Sequence, residues 1–516
     1  MVQEFQSCAL LDYARPEQEK GMREALERVR SSFGTKYPLV IGGKRIETKE
    51  TFQSVNPADP AQCVGAFSMA TPDHVSQAVA AADEAFHHWR WMPAEERANV
   101  LLRAAGIMRR RRHEISATMV YEVGKNWAEA DGDTAEAIDF CEFYAREAIR
   151  WGAPQPLVPN PGESNLYWYI PLGVGAVIPP WNFPFAITAG MTVASIVTGN
   201  TVVLKPSSDA PLTAWRLIEV LEEAGVPKGV LNFLPGPGGT MGDALVDHPR
   251  VRFIAFTGSM QVGLRIHERA AKVNPGQIWL KRMVLEMGGK DFTIVDEDAD
   301  LDAAVAGVYA GAFGFQGQKC SACSRAIVHR SLMKPFLEGL EAKVRAMTIG
   351  PTEDRKNYLG PVVSARAEKT ILEYMEAGKK EGKVLTGGGK HGGPGYFLQP
   401  TVFTDVKPDA RIAQEEIFGP VLAVVPTTSF DEAVSIANGT IYGLTGAYYS
   451  RDRAKVVEAK RRLHVGNLYI NRKCTGALVG IHPFGGFNMS GTDSKAGGRD
   501  YLGLFLQGKS IAELVG

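Results

Sequence analysis

From Ser164 to Leu204 the chain carries no Asp, Glu, Lys or Arg. A stretch this long without charge has to be buried, either in a bilayer or in a protein core. Pro171, Pro179, Pro180 and Pro184, together with Asn182, cut it into pieces too short to cross a bilayer, so it reads as buried strand, loop and helix. The pieces are a strand over 173–178, a helix over 186–197 and a strand over 201–205. The alternation continues with helices over 211–224, 239–247 and 261–271, and strands over 230–234 and 253–256. Short apolar strands between helices of about ten residues predict a parallel, doubly wound sheet. Such a sheet takes its ligand at the carboxyl ends of its strands, where Lys205, Thr257, Gly258, Ser259 and Glu286 fall.

The flanks are simpler. A helix over 17–34, a strand pair over 37–46 turning at Gly42-Gly43, helices across 73–112 interrupted at Pro93, and a helix over 131–150 precede the uncharged stretch. A Pro- and Gly-rich segment at 152–162 leads into a short strand over 166–170. A second αβ series begins near Asp291 and runs to about 483, with strands at 326–328, 421–425 and 466–470. The tail from Gly485 is polar and Gly-rich, then ends in a strand-like run over 501–506. That run has no sheet of its own, which suggests pairing with another subunit.

At 516 residues the chain exceeds one compact core, so two or three domains are expected. Lys and Arg number 57 and Asp and Glu number 57, which leaves no broad basic field for nucleic acid. The local exception, Arg109 to Arg112, follows Leu101, Leu102, Ala105 and Met108 at burial spacing and reads as a solvated helix face. Six cysteines in so long a chain make no disulfide framework, and a reducing compartment, the cytoplasm, is expected. Glu4, Asp12, Glu17 and Glu19 stand where a signal or transit peptide would be apolar or basic, and no such segment is read there.

Three motifs carry chemistry. Gln316-Gly-Gln-Lys-Cys320-Ser-Ala-Cys323 sets a thiol beside an ammonium, which favours the nucleophilic thiolate; the competing reading is a core cysteine. Glu286-Met-Gly-Gly-Lys290 offers a carboxylate, and Pro180-Trp-Asn182-Phe-Pro184 a side-chain amide. Thiol, carboxylate and amide are the groups that acyl-thioester chemistry needs. Thr257-Gly-Ser-Met-Gln-Val-Gly263 follows a strand and opens a helix, where backbone N–H groups hold a phosphate, although it is not the usual Gly-x-Gly-x-x-Gly. Cys320 and Cys323 also form Cys-x-x-Cys; with no second Cys pair, no metal is expected, and an oxidised 320–323 pair stays open as a hypothesis.

In this order, Trp181-Asn-Phe-Pro184, Lys205-Pro206, Phe256-Thr-Gly-Ser259, Glu286-Met-Gly-Gly-Lys290, Gly317-Gln-Lys-Cys320, Glu415-Glu-Ile-Phe-Gly-Pro420 and Pro483-Phe-Gly-Gly-Phe487 resemble the aldehyde dehydrogenase superfamily over nearly the whole chain. The resemblance implies a Rossmann-type NAD-binding domain (1–150 and 171–290), an α/β catalytic domain (291–484) and a small β oligomerisation extension (151–170 and 485–516). It makes Cys320 the nucleophile and Glu286 the general base, with the Asn182 amide and the Cys320 N–H as oxyanion hole. Cofactor contacts would come from Pro180, Trp181, Lys205, Ser208, Thr257, Gly258, Ser259, Gly263, Glu416 and Phe418. NAD is expected; Ser208 stands where many relatives carry a Glu for the adenosine 2′-hydroxyl and tolerates a 2′-phosphate better than a carboxylate would, so NADP use is left open.

Within the superfamily, 464–480, Gly289-Lys-Asp291, Cys320-Ser321 and Gly491-Thr-Asp-Ser-Lys-Ala496 resemble the branch that oxidises L-glutamate γ-semialdehyde. There Ser321, Gly476 and Ala477 would hold the α-carboxylate, Lys319 and Glu136 would lie near the amino-acid end, and Phe185 with Phe484 or Phe487 would wall the aliphatic chain. A homo-oligomer, a dimer or an assembly of dimers, is implied. The alternatives are a dehydrogenase of another carboxylated aldehyde, such as succinate semialdehyde, and a non-catalytic relative, against which the joint presence of Cys320, Glu286 and Asn182 speaks.

Overall fold

The structure is a computed structural model describing residues 4–515; residues 1–3 and 516, at the outer limits of the expected domains, lie outside the described residues. Two seven-stranded sheets organise it. In the first, Arg282–Glu286, Val251–Thr257, Val174–Ile178, Thr201–Leu204 and Leu231–Phe233 run parallel in that order, and the antiparallel pair Leu39–Ile41 and Lys44–Ile46 closes one edge. Alternate residues feed two cores. Val177, Leu204, Phe253 and Ala255 pack on one face, and Ala176, Val203, Ile254 and Phe256 on the other. Burial on both faces is why these strands read as unbroken apolar runs.

Strand order reverses at Val174–Ile178, whose neighbours are the next strand in sequence on one side and a later one on the other. The crevice at that reversal is where such sheets bind ligands. Register brings the strand ends level there: Phe256 pairs with Ile178, Val177 with Leu204 and Thr257 with Glu286.

The second sheet repeats the scheme with Thr401–Thr404, Val421–Thr427, Arg325–His329, Phe292–Val295, Thr445–Tyr449 and Asn467–Ile470 in parallel, and Lys383–Thr386 antiparallel at one edge. Gly446 is required in it, since a Cβ there would sit 2.3 Å from the Phe292 ring.

The tail departs from expectation. Residues Tyr501–Phe505 form a 3₁₀ turn, not a strand, and the strand is Leu506–Leu514. It pairs antiparallel with Glu163–Pro171 of the same chain, from Leu506 opposite Pro171 to Leu514 opposite Glu163. Apolar residues at 501, 502 and 505 follow a turn's spacing and bury against the helical core, so the strand starts only at Leu506.

The basic run also departs. Arg109 and Arg110 are exposed at the end of helix Ala94–Arg110, but the chain turns at Arg111 into a second helix, Arg112–Val123. Arg111 pairs with Glu114 and Glu219, and Arg112 is buried against Asp131 at 2.6 Å. The solvated face therefore holds for only half of the run.

One ion pair is sealed completely. Lys125 Nζ lies 2.8 Å from Asp133 Oδ2 with both side chains 0% exposed. The ammonium also stands 4.0 Å from the Phe183 ring centroid and 4.6 Å from that of Phe315. Asp133 Oδ1 accepts from the Ala186 N–H, where helix Ala186–Val197 begins just after Asn182. Lys125→Met leaves a buried carboxylate without its partner and is expected to cost ~3–5 kcal/mol, read as a fall in chemical-denaturation midpoint. A midpoint within error of wild type would remove this pair from the fold's support.

Candidate active site

The loop that carries Cys320 is held in an improbable backbone. Phe315 (φ 48°), Gln316 (φ 58°) and Gly317 (φ 67°) are successive left-handed residues, and such strain persists only where the surroundings over-determine it. Here they do: Gln316 Nε2 donates to Gly124 O (3.0 Å) and Pro361 O (2.7 Å), and Gln318 Oε1 accepts from the Val363 N–H (2.9 Å). A Cβ on Gly317 would meet Gly419 O at 2.3 Å. Beyond Cys320, the Asp291 carbonyl accepts the N–H groups of Ser324 and Arg325, each at 3.1 Å. In the sequence Asp291 stood only as part of a motif, without a role; its buried Oδ1 accepts from the Thr445 N–H at 2.6 Å, tying the loop to the second sheet.

Cys320 opens onto a cavity lined also by Glu286, Ser321, Thr257, Glu136, Gly476, Ala477 and Phe484. The expected ammonium beside the thiol is not what it meets. Lys319 Nζ turns to Glu129 Oε1 at 2.7 Å. Burial pushes the Cys320 thiol well above its ordinary range, and the carboxyl groups of Asp291, Glu286, Glu416 and Glu136 push it further. Alkylation by iodoacetamide is accordingly expected to keep rising through pH 9.0 with no plateau near neutrality. A plateau below pH 8 would contradict this electrostatic picture.

Asn182, 3% exposed, donates from Nδ2 to Gln318 O at 3.1 Å, so its amide lies against the Cys320 loop. Glu286 is the last residue of its strand. The Ser494 hydroxyl donates to its Oε1 at 2.6 Å, with the Ser494 N–H on the same oxygen (3.3 Å) and the Gly486 N–H on Oε2 (3.2 Å). Burial outweighs these donors and lifts the carboxyl to about 7. Ser494 was noted in the sequence only as part of a motif; its hydroxyl reaches Glu286 across 208 positions.

The residues expected around a dinucleotide gather at the crevice. Lys205, 6% exposed, follows the strand Thr201–Leu204, and its Nζ donates to Pro206 O at 3.2 Å; burial lowers the ammonium to about 8. Ser259 caps helix Met260–Ala270, accepting from the Val262 N–H at 3.4 Å. Gly263 lets that helix approach, since a Cβ there would lie 2.4 Å from Met287 Sδ. Ser208 is exposed beyond Lys205. On the other wall Glu416 Oε1 accepts from the Gly289 N–H at 3.0 Å, and burial raises its carboxyl to about 7. Phe418, left-handed at φ 58°, meets Trp181 edge-on with centroids 5.5 Å apart. Pro180 is half-buried beside it. A buried cation, a helix start and a buried carboxylate fit the phosphates and hydroxyls of a dinucleotide.

Ser321 is buried next to Cys320, and Gly476 (φ 81°) and Ala477 line the same cavity. Arg472 Nη2 donates to the carbonyls of Thr475 (3.2 Å) and Gly476 (3.0 Å) and so fixes this turn. Phe484 lines the cavity, but Phe185 does not: it is 0% exposed in the helical core, and Phe183 takes its place on the cavity wall. Phe185 directly precedes helix Ala186–Val197, whose start aims its ring inward. Phe487 packs on His464 instead, with centroids 5.0 Å apart. Tyr501, from the tail turn, completes the lining. Cys323 leaves the site: its Sγ donates to Thr293 Oγ1 at 3.2 Å in the second sheet's core, and all six cysteines are free thiols.

A thiol and a near-neutral carboxyl on one cavity, with an amide against the thiol's loop, are the groups of an enzyme of aldehyde oxidation, and residues 45–511 match the model of the aldehyde dehydrogenase family. The chain belongs to that family, and its fold is the aldehyde dehydrogenase fold. It is 55% identical over 514 residues, covering 100% of both chains, to the 1-pyrroline-5-carboxylate dehydrogenase of Geobacillus sp. (strain WCH70). It is 54% identical, again over 100% of both, to that of Geobacillus kaustophilus (strain HTA426). The solved 1-pyrroline-5-carboxylate dehydrogenase from Thermus with bound NAD superposes with a TM-score of 0.98 at 52% identity, covering 99% of each chain.

Proposed function

We propose that this chain oxidises L-glutamate γ-semialdehyde, the open form of 1-pyrroline-5-carboxylate, to L-glutamate with NAD, the second step of proline catabolism. The observation that carries the reading is one cavity lined by Cys320 and Glu286 together with Ser321, Gly476 and Ala477. A hydroxyl and two backbone N–H groups suffice to hold a carboxylate without a cation.

The residues then act in sequence. Glu286, whose charge reaches the thiol, takes the Cys320 proton, and the sulfur adds to the aldehyde carbon. The second N–H of the Asn182 amide and the Cys320 N–H stabilise the alkoxide; one such donor is worth ~10²–10³ in rate. When bound, NAD accepts the hydride that leaves the aldehyde carbon. Glu286 afterwards removes a proton from the water that hydrolyses the Cys320 thioester.

Lys205, Ser259 and the turn Thr257-Gly258 would hold the adenosine half and phosphates, Glu416 the nicotinamide ribose, and Phe418 with Trp181 and Pro180 the nicotinamide. Ser208 presents no carboxylate, so slower NADP use belongs to the same reading. We assign residues 1–150 and 171–290 to the cofactor domain, 291–484 to the catalytic domain, and 151–170 with 485–516 to subunit contact. Leu166, Trp168 and Leu514 are exposed on the paired strands of that extension and suit a homodimer or an assembly of dimers. Six free thiols suit the cytoplasm.

Initial rates with NAD on 1-pyrroline-5-carboxylate and on succinate semialdehyde, measured side by side, test the substrate. A kcat/KM strongly favouring the former is expected; the reverse order would discard the carboxylate anchor and keep the chemistry. Ser321→Ala is expected to raise KM for the amino-acid aldehyde about tenfold, one hydrogen bond to a charged group, with little effect on propanal. Equal changes for both aldehydes would remove Ser321 from the anchor.

A further inference from the structure

The proposed substrate stands in solution as a cyclic imine, while a thiol that ends in a thioester needs the open aldehyde. We infer that the chain opens the ring itself, with Glu136 as the acid–base group that hydrates the C=N bond at the mouth of the aldehyde cavity. This rests on the substrate proposed above and adds a hydrolytic step to it.

Glu136 is placed for that step. It projects from helix Trp127–Gly152 into the wall shared by the inner cavity and an outer chamber of about 740 Å³. Phe183 and the turn 476–479 form the rest of that wall. The outer chamber carries Lys319, Lys473, Arg355, Glu129 and Asn126, a polar volume with room for water and a small zwitterion.

The carboxyl groups around Glu136 are already engaged. Asp133 holds Lys125 and the Ala186 N–H, Glu129 holds Lys319, and Asp139 accepts from the Cys8 N–H at 2.7 Å. Glu136 makes no hydrogen bond among the described residues. Burial and the nearby Asp133 lift its carboxyl to about 8, so it holds a proton at neutral pH. It lines the same inner cavity as Cys320, where the carbon that becomes the aldehyde must sit.

The chemistry balances. Glu136 gives its proton to the ring nitrogen, water adds to the former C=N carbon, and the proton released by that water returns to the carboxylate. The same carboxyl then protonates the nitrogen again as the C–N bond breaks, and the hydroxyl proton of the carbinolamine comes back to it. One water is consumed, no electron moves, and Glu136 ends protonated as it began.

The test separates ring opening from oxidation. Cys320→Ala enzyme with NAD is mixed with 1-pyrroline-5-carboxylate, and magnetisation-transfer NMR reads exchange between the ring C–H and the open aldehyde or its hydrate. Acceleration of about 10²-fold over buffer is expected, lost when Glu136→Gln is added and partly kept with Glu136→Asp. No acceleration by Cys320→Ala, or full acceleration with Glu136→Gln, overturns the inference. A second readout needs no variant: the wild-type rate of NADH formation should stay proportional to enzyme at high enzyme concentration. A plateau at the spontaneous opening rate overturns the inference and leaves the oxidation standing. No NADH from this substrate at any enzyme concentration would end both.

Discussion

Cys320→Ala is expected to remove NADH formation, by on the order of 10⁴-fold or more, while NAD still binds. The aldehyde cavity contains one thiol, and its other polar groups are carboxyl, imidazole, hydroxyl and backbone groups that leave no thioester path open. The substitution removes a sulfur from a wall and touches none of the residues gathered in the crevice, namely Lys205, Ser259 and Glu416. NAD affinity by fluorescence quenching should therefore stay within a few-fold of wild type. Turnover within a hundredfold of wild type would mean that another group attacks the aldehyde. Loss of NAD binding together with turnover would mean instead that the strained loop at 315–317 had collapsed.

Glu286→Gln separates the two halves of the reaction. Steady-state turnover should fall ~10²–10⁴-fold, the usual worth of general base catalysis. A burst of NADH equal to the active sites should survive if the main duty of the carboxylate is toward water, and its absence would move that duty to thiol activation. The wild-type enzyme supplies the control. Burial raises the Glu286 carboxyl to about 7, so only above that pH does the basic form predominate. Deacylation should thus rise through pH 7 and level off above it, and the Gln variant should lose the inflection. Amide for acid keeps the shape and leaves Ser494 Oγ an oxygen, while the Gly486 N–H loses its acceptor, so NAD affinity and thermal midpoint are measured alongside to separate a shifted loop from a lost base.

Much of this architecture was legible from pattern. The strands at 174–178, 201–204 and 231–233 and the helix Ala186–Val197 fall within two residues of expectation, because full burial leaves a continuous apolar signal. The sheet of Lys36–Tyr37, Thr51–Asn56 and Asp59–Ser68 was not expected, since its half-exposed strands mix polar and apolar residues without a run. Helix Arg112–Val123 hid for the opposite reason: it is buried almost all round and shows no apolar stripe.

The site divides along the same line. Cys320, Glu286, Asn182, Ser321 and Gly476 were visible because each stands in a short motif whose residue types the chemistry demands, and the local chain places them at strand ends and turns. That much the sequence determined by itself. What each side chain faces was decided by tertiary structure alone. Lys319 is bound to Glu129 across 190 positions, away from the thiol it adjoins in sequence. Phe183 lines the cavity where Phe185 was expected, because in a turn no periodicity says which of two nearby rings points inward. Tyr501 enters the same cavity from a tail that reads as a strand. Charge and direction are properties of packed neighbours, and those neighbours are distant in the chain.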